Sequence, residues 1–129
     1  MIFRFDDWTW AGIPVHAYKD NPGSWKSVTR TVLNPDADCH FEVRYFEVAP
    51  GGYTSFEKHE HEHLVVIIRG RGRVRLGNEW LEVAAFDAVR VVSQMPHQFA
   101  AYAEEALGIL CVVDRDRDRP VLLRTESDP

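Results

Sequence analysis

The sequence predicts a single all-β domain built from short strands and arranged as a sandwich or a barrel. Seven or eight stretches of the 129-residue chain alternate apolar with polar side chains or are continuously apolar. Turns that contain glycine or proline separate these stretches at short spacing. No stretch of 15 residues carries the apolar period of a helix, so a helical fold is not expected.

Most of the predicted strands lie between residues 41 and 113. Residues 41–48 alternate apolar and polar side chains and are followed by Pro50-Gly51-Gly52, which favours a turn. Residues 64–68 are continuously apolar and rich in β-branched side chains, which is typical of a buried strand. The other candidates share the short length and the flanking turns: 53–60, 73–76, 80–83, 88–92, 98–101 and 107–113.

One domain is predicted over residues 1–129, because no linker, internal repeat or low-complexity tract divides the chain. Its core is expected at about 38–114. The aromatic-rich segment 1–37 is expected to form an N-terminal arm, in which Trp8 and Trp10 either seal one end of the barrel or pack across a dimer. The charged segment 115–129, which contains the run RDRDRP, is expected to be an exposed tail.

Composition and charge narrow the possible partners. The formal net charge is −5, so the chain has no general electrostatic footprint for nucleic acid or for an anionic membrane. The N-terminus lacks the basic and apolar regions of a signal peptide, and the longest apolar runs hold five residues. Two cysteines are too few for a disulfide framework. We therefore expect a cytoplasmic protein whose partner is a small-molecule substrate.

A cluster of histidines predicts a metal site. His59, His61 and His63 alternate in the run EKHEHEHL, and His97 lies in MPHQF. Residues two apart share one face of a strand, so Glu57 would point the same way if a single strand runs through. A tight turn near His61 would instead separate two strands and take that ring off the face. Imidazoles from neighbouring strands are the donors that zinc, iron, nickel, copper and manganese sites use most often.

Two motifs around these histidines resemble those of the cupin superfamily. The stretch PGGYTSFEKHEHEHLVVIIRGRGRV resembles the first cupin motif, and FDAVRVVSQMPHQF resembles the second. The resemblance implies a double-stranded β-helix, or jelly-roll, barrel that holds one divalent transition metal ion between its strands. Manganese is the metal we expect, and iron, nickel and zinc are compatible with the donors. The resemblance also implies a homodimer, since small cupins commonly pair through edge strands.

The resemblance leaves two ligand sets open. A gap-free count from the glycine-rich turn gives Glu57, His59, His63 and His97, in which His63 stands where the family usually has glutamate. The other register replaces Glu57 with His61 and gives a site of four histidines. The first set is our preferred expectation. The choice matters because a carboxylate ligand lowers the net positive charge of the site.

Three further segments resemble a small bacterial group of cupins, the 1-methylthio-xylulose 5-phosphate methylsulfurylase-like group. They are AYKDNPGSWKSVTRTVL, RYFEVAPGGYTS and LGILCVVDRDRDRP. This resemblance implies a manganese-dependent enzyme that cleaves a carbon–sulfur bond on a methylthio sugar phosphate. It makes Cys111 the candidate catalytic thiol, because alternation on the last predicted strand can aim its side chain into the barrel. The alternative role for Cys111 is core packing as a small apolar residue.

Several functions stay open at this point. Within the enzymes, a dioxygenase or an isomerase acting on a dicarbonyl or a sugar would use the same donors. Outside them, the chain could be a small-molecule-binding protein without catalysis. A phosphorylated substrate would need cationic side chains in the mouth of the barrel. The candidates for that role are Arg44, Lys58, Arg69 and Arg90, with Lys26 and Arg30 from the N-terminal segment.

Overall fold

The computed structural model describes residues 1–19, 23–35 and 38–124, and these residues form strands and turns without a helix. Accordingly, the described ranges contain no helix long and apolar enough to cross a membrane. The strands of these ranges are β1 (Phe5–Asp6), β2 (Thr9–Trp10), β3 (His16–Ala17), β4 (Lys26–Val32), β5 (Phe41–Tyr53), β6 (Glu57–Lys58), β7 (His63–Arg69), β8 (Arg71–Leu76), β9 (Glu79–Ala84), β10 (Ala88–Val91), β11 (His97–Ala101), β12 (Leu107–Asp114) and β13 (Val121–Leu122).

Antiparallel pairing joins all of these strands except the β1–β2 hairpin into one sheet. Its main path runs β10-β7-β12-β5-β11-β6-β13, with β3-β4 attached to β5 and β9-β8 attached to β11. The 13-residue strand β5 joins both parts of the curled sheet. It pairs with β12 over residues 41–48, with β4 over 44–48 and at Tyr53, and with β11 at Tyr53. The predicted all-β barrel is confirmed.

Alternation of side chains separates the barrel interior from its outer surface. On β12 the side chains of Ile109 and Cys111 are 3% and 1% exposed, whereas Val112 between Cys111 and Val113 is 37% exposed. On β7 the same alternation buries Val65 and leaves Leu64 exposed. The strand register places Cys111 between Arg44 of β5 and Val65 of β7, so its side chain enters the barrel.

The strand β5 does not end where the sequence predicted. It continues through Pro50-Gly51-Gly52 instead of turning at this point. Gly51 adopts a φ of 77°, and a Cβ on Gly52 would lie 2.6 Å from the carbonyl oxygen of Lys26. Residues without a side chain therefore let the strand bend against β4 while it stays in the sheet. The predicted strand 53–60 is correspondingly divided between the end of β5 and the two-residue β6.

The segment 1–37 contributes to the barrel as well as forming an arm. Within it, β4 pairs with β5 from Val28 to Val32, so this part belongs to the curled sheet. Ahead of it, the β1–β2 hairpin places Trp8 in a stacked contact with Tyr45, with ring centroids 5.8 Å apart. Trp10 makes an edge contact with the same ring at 5.3 Å. The hairpin thus covers the outer side of β5, and the tyrosine is only 2% exposed.

The charged tail is held against the barrel as far as the structure describes it. The strand β13 pairs with β6. The carboxylate of Asp118 accepts hydrogen bonds from the backbone N–H groups of Glu60 and His61, at 2.8 and 2.9 Å. Arg117 pairs with Glu42 at 3.2 Å. Most residues of 115–124 are exposed, and some of their charged side chains have fixed partners on the barrel. The exposed tail over 115–129 stays a prediction, since residues 125–129 lie outside the described residues.

A pair of turn glycines gives a stability test of this fold. Gly70 and Gly77 flank β8, and both have positive φ, at 73° and 63°. A Cβ on Gly70 would collide with the carbonyl oxygen of Ala106, whereas a Cβ on Gly77 meets nothing within 4 Å. We expect Gly70→Ala to lower the free energy of unfolding by about 3 kcal/mol, from strain plus overpacking. Gly77→Ala, which adds the strain alone, should cost about 1 kcal/mol.

Urea unfolding of the two glycine variants beside the wild type measures the difference. Equal losses for Gly70→Ala and Gly77→Ala would contradict the close packing of the β7–β8 turn against Ala106.

Candidate metal centre

Three imidazoles meet at one end of the barrel interior. His63 and His97 are the first residues of β7 and β11, and His59 follows directly after β6. Each can offer one ring nitrogen such that the three nitrogens lie within 4.8 Å of one another. The ring centroids are 4.7 to 5.0 Å apart. We call His59, His63 and His97 the three-histidine group, and its spacing is one that a single metal ion can bridge.

Each ring of the group uses the same nitrogen, Nδ1, for its hydrogen bond or polar contact. Nδ1 of His59 donates to the carbonyl oxygen of His61 at 2.7 Å, and Nδ1 of His97 donates to that of Met95 at 2.8 Å. Nδ1 of His63 contacts the Cys111 sulfur at 2.8 Å. Nε2 of His63 is buried without a hydrogen-bond partner among the described residues. An orphaned buried nitrogen beside two oriented imidazoles fits a metal ion, whose histidine ligands typically donate their other N–H in this way.

Burial keeps these imidazoles neutral. It lowers the pKa of His59 from 6.5 to about 4. It also lowers the pKa of His63 and His97, and the neighbouring rings reinforce the effect at His63. A neutral imidazole is the form that binds a metal, so at pH 7 no proton has to be displaced from the three-histidine group.

The two candidates for a fourth ligand lie beside the group but not in it. The carboxylate of Glu57 accepts hydrogen bonds from Lys19 and, at 2.7 Å, from the Ser55 hydroxyl. The His61 ring stacks on His59, with centroids 3.7 Å apart, and its Nδ1 contacts Asp118 at 2.8 Å. Neither side chain belongs to the set of donors within 4.8 Å. The choice between Glu57 and His61 stays a prediction.

Cys111 lies directly behind the group. Its sulfur is in contact with Nδ1 of His63 and accepts a hydrogen bond from Nη2 of Arg44 at 3.3 Å. The side chain is buried, which raises the pKa of the thiol, and the Arg44 guanidinium opposes that rise. The Cys111 sulfur thus has two nitrogen neighbours, one of them on a candidate metal ligand, besides its packing in the barrel interior.

A cavity of about 200 Å³ opens onto these side chains. Its wall includes the three-histidine group, Cys111, Glu57 and His61. It also carries four cationic side chains: Lys19, Arg30, Arg44 and Arg117. Apolar side chains such as Phe46, Phe99 and Ile109 line the rest. A concave site with an apolar lining and a few convergent polar groups is typical of small-molecule binding.

Comparison with known proteins identifies the family. The family model described as Cupin domain matches residues 44–113. This chain belongs to the cupin family. It is 43% identical over 120 residues to the 1-methylthio-D-xylulose 5-phosphate methylsulfurylase of Rhodospirillum rubrum, with 92% of this chain and 76% of that protein covered. The predicted membership is therefore confirmed.

Solved structures agree with the cupin fold. A cupin-2 domain protein from Rhodospirillum rubrum superposes with a TM-score of 0.85 at 42% identity, covering 99% of this chain and 85% of that one. A cupin 2 conserved barrel domain protein from Rhodopseudomonas palustris gives a TM-score of 0.82 at 41% identity, covering 92% and 82%. The all-strand fold of this cupin is thus shared over nearly its whole length.

The sequence indicated part of the cavity wall of this cupin and missed part. Arg30 and Arg44 were phosphate candidates and do line the cavity, whereas Lys26, Lys58, Arg69 and Arg90 do not. Arg69 instead pairs with Glu47 at 2.6 Å. Lys19 and Arg117 were not singled out, because Lys19 lies outside both motifs and Arg117 lies in the segment expected to be an exposed tail. The charged run RDRDRP was the available signal for Arg117.

The metal-free cupin is expected to lose stability as the pH falls from about 6.5 to about 4. In this window the unfolded chain binds a proton on His59 that the folded chain excludes, because its folded pKa is about 4. The free energy of unfolding therefore rises with pH through this window and reaches its full value above about pH 6.5. The lowered pKa values of His63 and His97 act in the same direction.

Urea unfolding of protein freed of metal by chelation and dialysis measures this pH dependence. The exposed His16 supplies the control, since His16→Ala should keep the wild-type slope of unfolding free energy against pH while His59→Phe should reduce it. A free energy of unfolding that does not change over the window would contradict the burial of neutral imidazoles.

Proposed function

We propose that this cupin is a metal-dependent enzyme that cleaves the carbon–sulfur bond of a methylthio ketose phosphate and releases methanethiol. The observation that carries the proposal is the contact of His63 with Cys111, which joins a candidate metal ligand to a buried thiol in one cavity. The name of the Rhodospirillum rubrum relative, at 43% identity, supports the substrate class.

The Nε2 atoms of the three-histidine group would hold one divalent transition metal ion, with manganese as our first choice and iron, nickel or zinc also compatible with the donors. When bound, the ion supplies Lewis-acid polarisation of a substrate ketone oxygen. The surrounding backbone fixes the orientation of two of these ligands, because Nδ1 of His59 and Nδ1 of His97 each donate a hydrogen bond to a carbonyl oxygen.

Cys111 supplies the sulfur nucleophile in this proposal. Its sulfur attacks the methylthio sulfur, a sulfur–sulfur bond forms, and the carbon–sulfur bond to the sugar breaks. The electron pair moves to the carbon next to the ketone, and that carbon takes up a proton in place of the one that Cys111 gives up. Arg44 stabilises the sulfur anion during the attack, since its guanidinium lies 3.3 Å from the sulfur.

A second thiol completes the cycle. The attack leaves Cys111 in a mixed disulfide with the methylthio group. A small thiol reductant attacks this disulfide at the Cys111 sulfur and releases methanethiol, and a second equivalent of the reductant restores the free cysteine. The net reaction consumes two thiols, which become one disulfide, and replaces a carbon–sulfur bond by a carbon–hydrogen bond.

An assay of methanethiol release tests the proposed reaction. Untagged protein is incubated with manganese, dithiothreitol and 1-methylthio-D-xylulose 5-phosphate, and headspace gas chromatography measures methanethiol. We expect methanethiol and the 1-deoxy ketose phosphate in equal amounts. No methanethiol with manganese, iron, nickel or zinc would refute the reaction. Oxygen consumption would then indicate a dioxygenase, a rearranged sugar an isomerase, and binding without turnover a non-catalytic role.

The cellular location, the oligomeric state and the kind of partner are part of the same proposal. We propose a cytoplasmic homodimer that acts on a small molecule and binds neither nucleic acid nor membrane. Both cysteines are free, as a thiol enzyme in a reducing compartment requires. Sedimentation velocity distinguishes the dimer from a monomer.

A further inference from the structure

The wall of the metal-centre cavity is positively charged although the whole chain is acidic. Four cationic side chains line it, and Glu57 is its one carboxylate among the described residues. Lys19 is paired with Glu57, so these two charges offset one another. The excess charge therefore belongs to Arg30, Arg44 and Arg117.

Arg30, like Arg44, has a buried Nε atom without a hydrogen-bond partner among the described residues. Arg30 lies on β4 opposite Phe46 of β5, and it lines the cavity. Burying a guanidinium N–H without a partner costs free energy, so this position favours an anionic ligand in the cavity.

Arg44 and Arg117 are only partly neutralised. Both pair with Glu42, at 3.8 and 3.2 Å, and Arg115 approaches the same carboxylate at 3.6 Å. One carboxylate cannot offset three guanidinium groups. Arg44 lies two residues before Phe46 on β5, so its side chain enters the barrel on the same face as that of Arg30.

We propose that Arg30, Arg44 and Arg117 form a subsite for the dianionic phosphate of a phosphate monoester. A guanidinium presents two parallel N–H donors that match phosphate oxygens. A phosphate monoester carries close to two negative charges at pH 7, which matches the surplus on this wall. The inference rests on the proposed function and deepens it, since it assigns the part of the cavity that holds the substrate's phosphate.

Calorimetric titration of the protein after removal of metal tests the subsite without turnover and without phosphate binding to a metal. The probes are D-xylulose 5-phosphate, inorganic phosphate, unphosphorylated D-xylulose and the carboxylate glycerate, all at constant ionic strength. We expect Arg30→Gln to weaken the binding of both phosphates by about 10- to 100-fold, the range for hydrogen bonds to a charged group. D-xylulose should bind at least about 10-fold more weakly than its phosphate.

Arg71→Gln is the matched control. Arg71 is 71% exposed, pairs with Glu105 and does not line this cavity, so phosphate affinity should stay at the wild-type value. A second variant, Arg117→Gln, tests the subsite from a segment outside the barrel core and should also weaken phosphate binding. It keeps the proposal testable if Arg30→Gln does not fold.

Two results would overturn the subsite. The first is wild-type phosphate affinity in Arg30→Gln and Arg117→Gln variants that keep the wild-type circular dichroism. The second is glycerate binding as tightly as D-xylulose 5-phosphate, which would indicate a carboxylate site. Phosphate binding that depends on Arg30 supports the subsite even when no methanethiol is released, in which case only the proposed reaction fails.

Discussion

Replacing His97 with alanine is expected to weaken the binding of a divalent metal ion by more than about 100-fold, because loss of even an outer partner of a metal ligand typically costs 10- to 100-fold. His97 brings the only imidazole that β11 contributes to the three-histidine group. Without it, the donors that remain are His59, directly after β6, and His63, at the start of β7. Calorimetric titration with manganese and the metal content of untagged protein measure the loss.

The control uses a histidine that the structure keeps away from the cavity. His16 lies exposed on β3, so His16→Ala should retain one equivalent of metal with unchanged affinity. Circular dichroism shows whether His97→Ala keeps the fold, since the backbone of His97 pairs with Leu76 and Glu57. If folded His97→Ala protein binds manganese with wild-type affinity, the three-histidine group is not the metal centre.

Local patterns accounted for most of the barrel and for the meeting of the three imidazoles. Burial alternates along β12 from Ile109 to Asp114, and β7 is an apolar run. Which side chains face inward is then a property of a few consecutive residues. His63 and His97 each begin a strand after a turn, so a motif of turns and strands could bring them together. Patterns of consecutive residues could not show whether the chain turns at Pro50-Gly51-Gly52, because the path of the chain there depends on how β4 packs against β5.

The parts that sequence could not predict depend on partners distant along the chain. Asp118 meets His61 across 57 positions, and Lys19 meets Glu57 across 38. Each of these contacts engages the side chain of a candidate ligand, so spacing along the chain alone could not decide the fourth ligand. The cationic wall has the same origin, because a strand of the predicted arm, the long strand β5 and the tail each supply one arginine.

Replacing Cys111 with serine is expected to lower the rate of methanethiol release by at least about 1,000-fold, as loss of a nucleophile usually does. A hydroxyl does not form the mixed disulfide that the proposed reaction requires. The serine oxygen can still accept a hydrogen bond from Nδ1 of His63, so manganese affinity should stay close to the wild-type value. Initial rates with saturating manganese and dithiothreitol, measured beside the manganese titration, check both expectations.

Cys39→Ser is the matched control for this substitution. The Cys39 sulfur contacts Asn34 at 3.1 Å in a loop and does not line the cavity, so its loss should leave the rate unchanged. Without reductant, a single turnover should add one methylthio group to the wild-type peptide that contains Cys111, which mass spectrometry detects.

The serine variant also separates the two roles open to Cys111. If Cys111 only fills the core, we expect Cys111→Ser to lower the stability while its folded fraction keeps the wild-type turnover. A thiol that attacks sulfur predicts the reverse, with fold and metal kept and turnover lost. Wild-type rates in folded Cys111→Ser protein would therefore assign the cysteine to packing and transfer the carbon–sulfur cleavage to another group in the cavity.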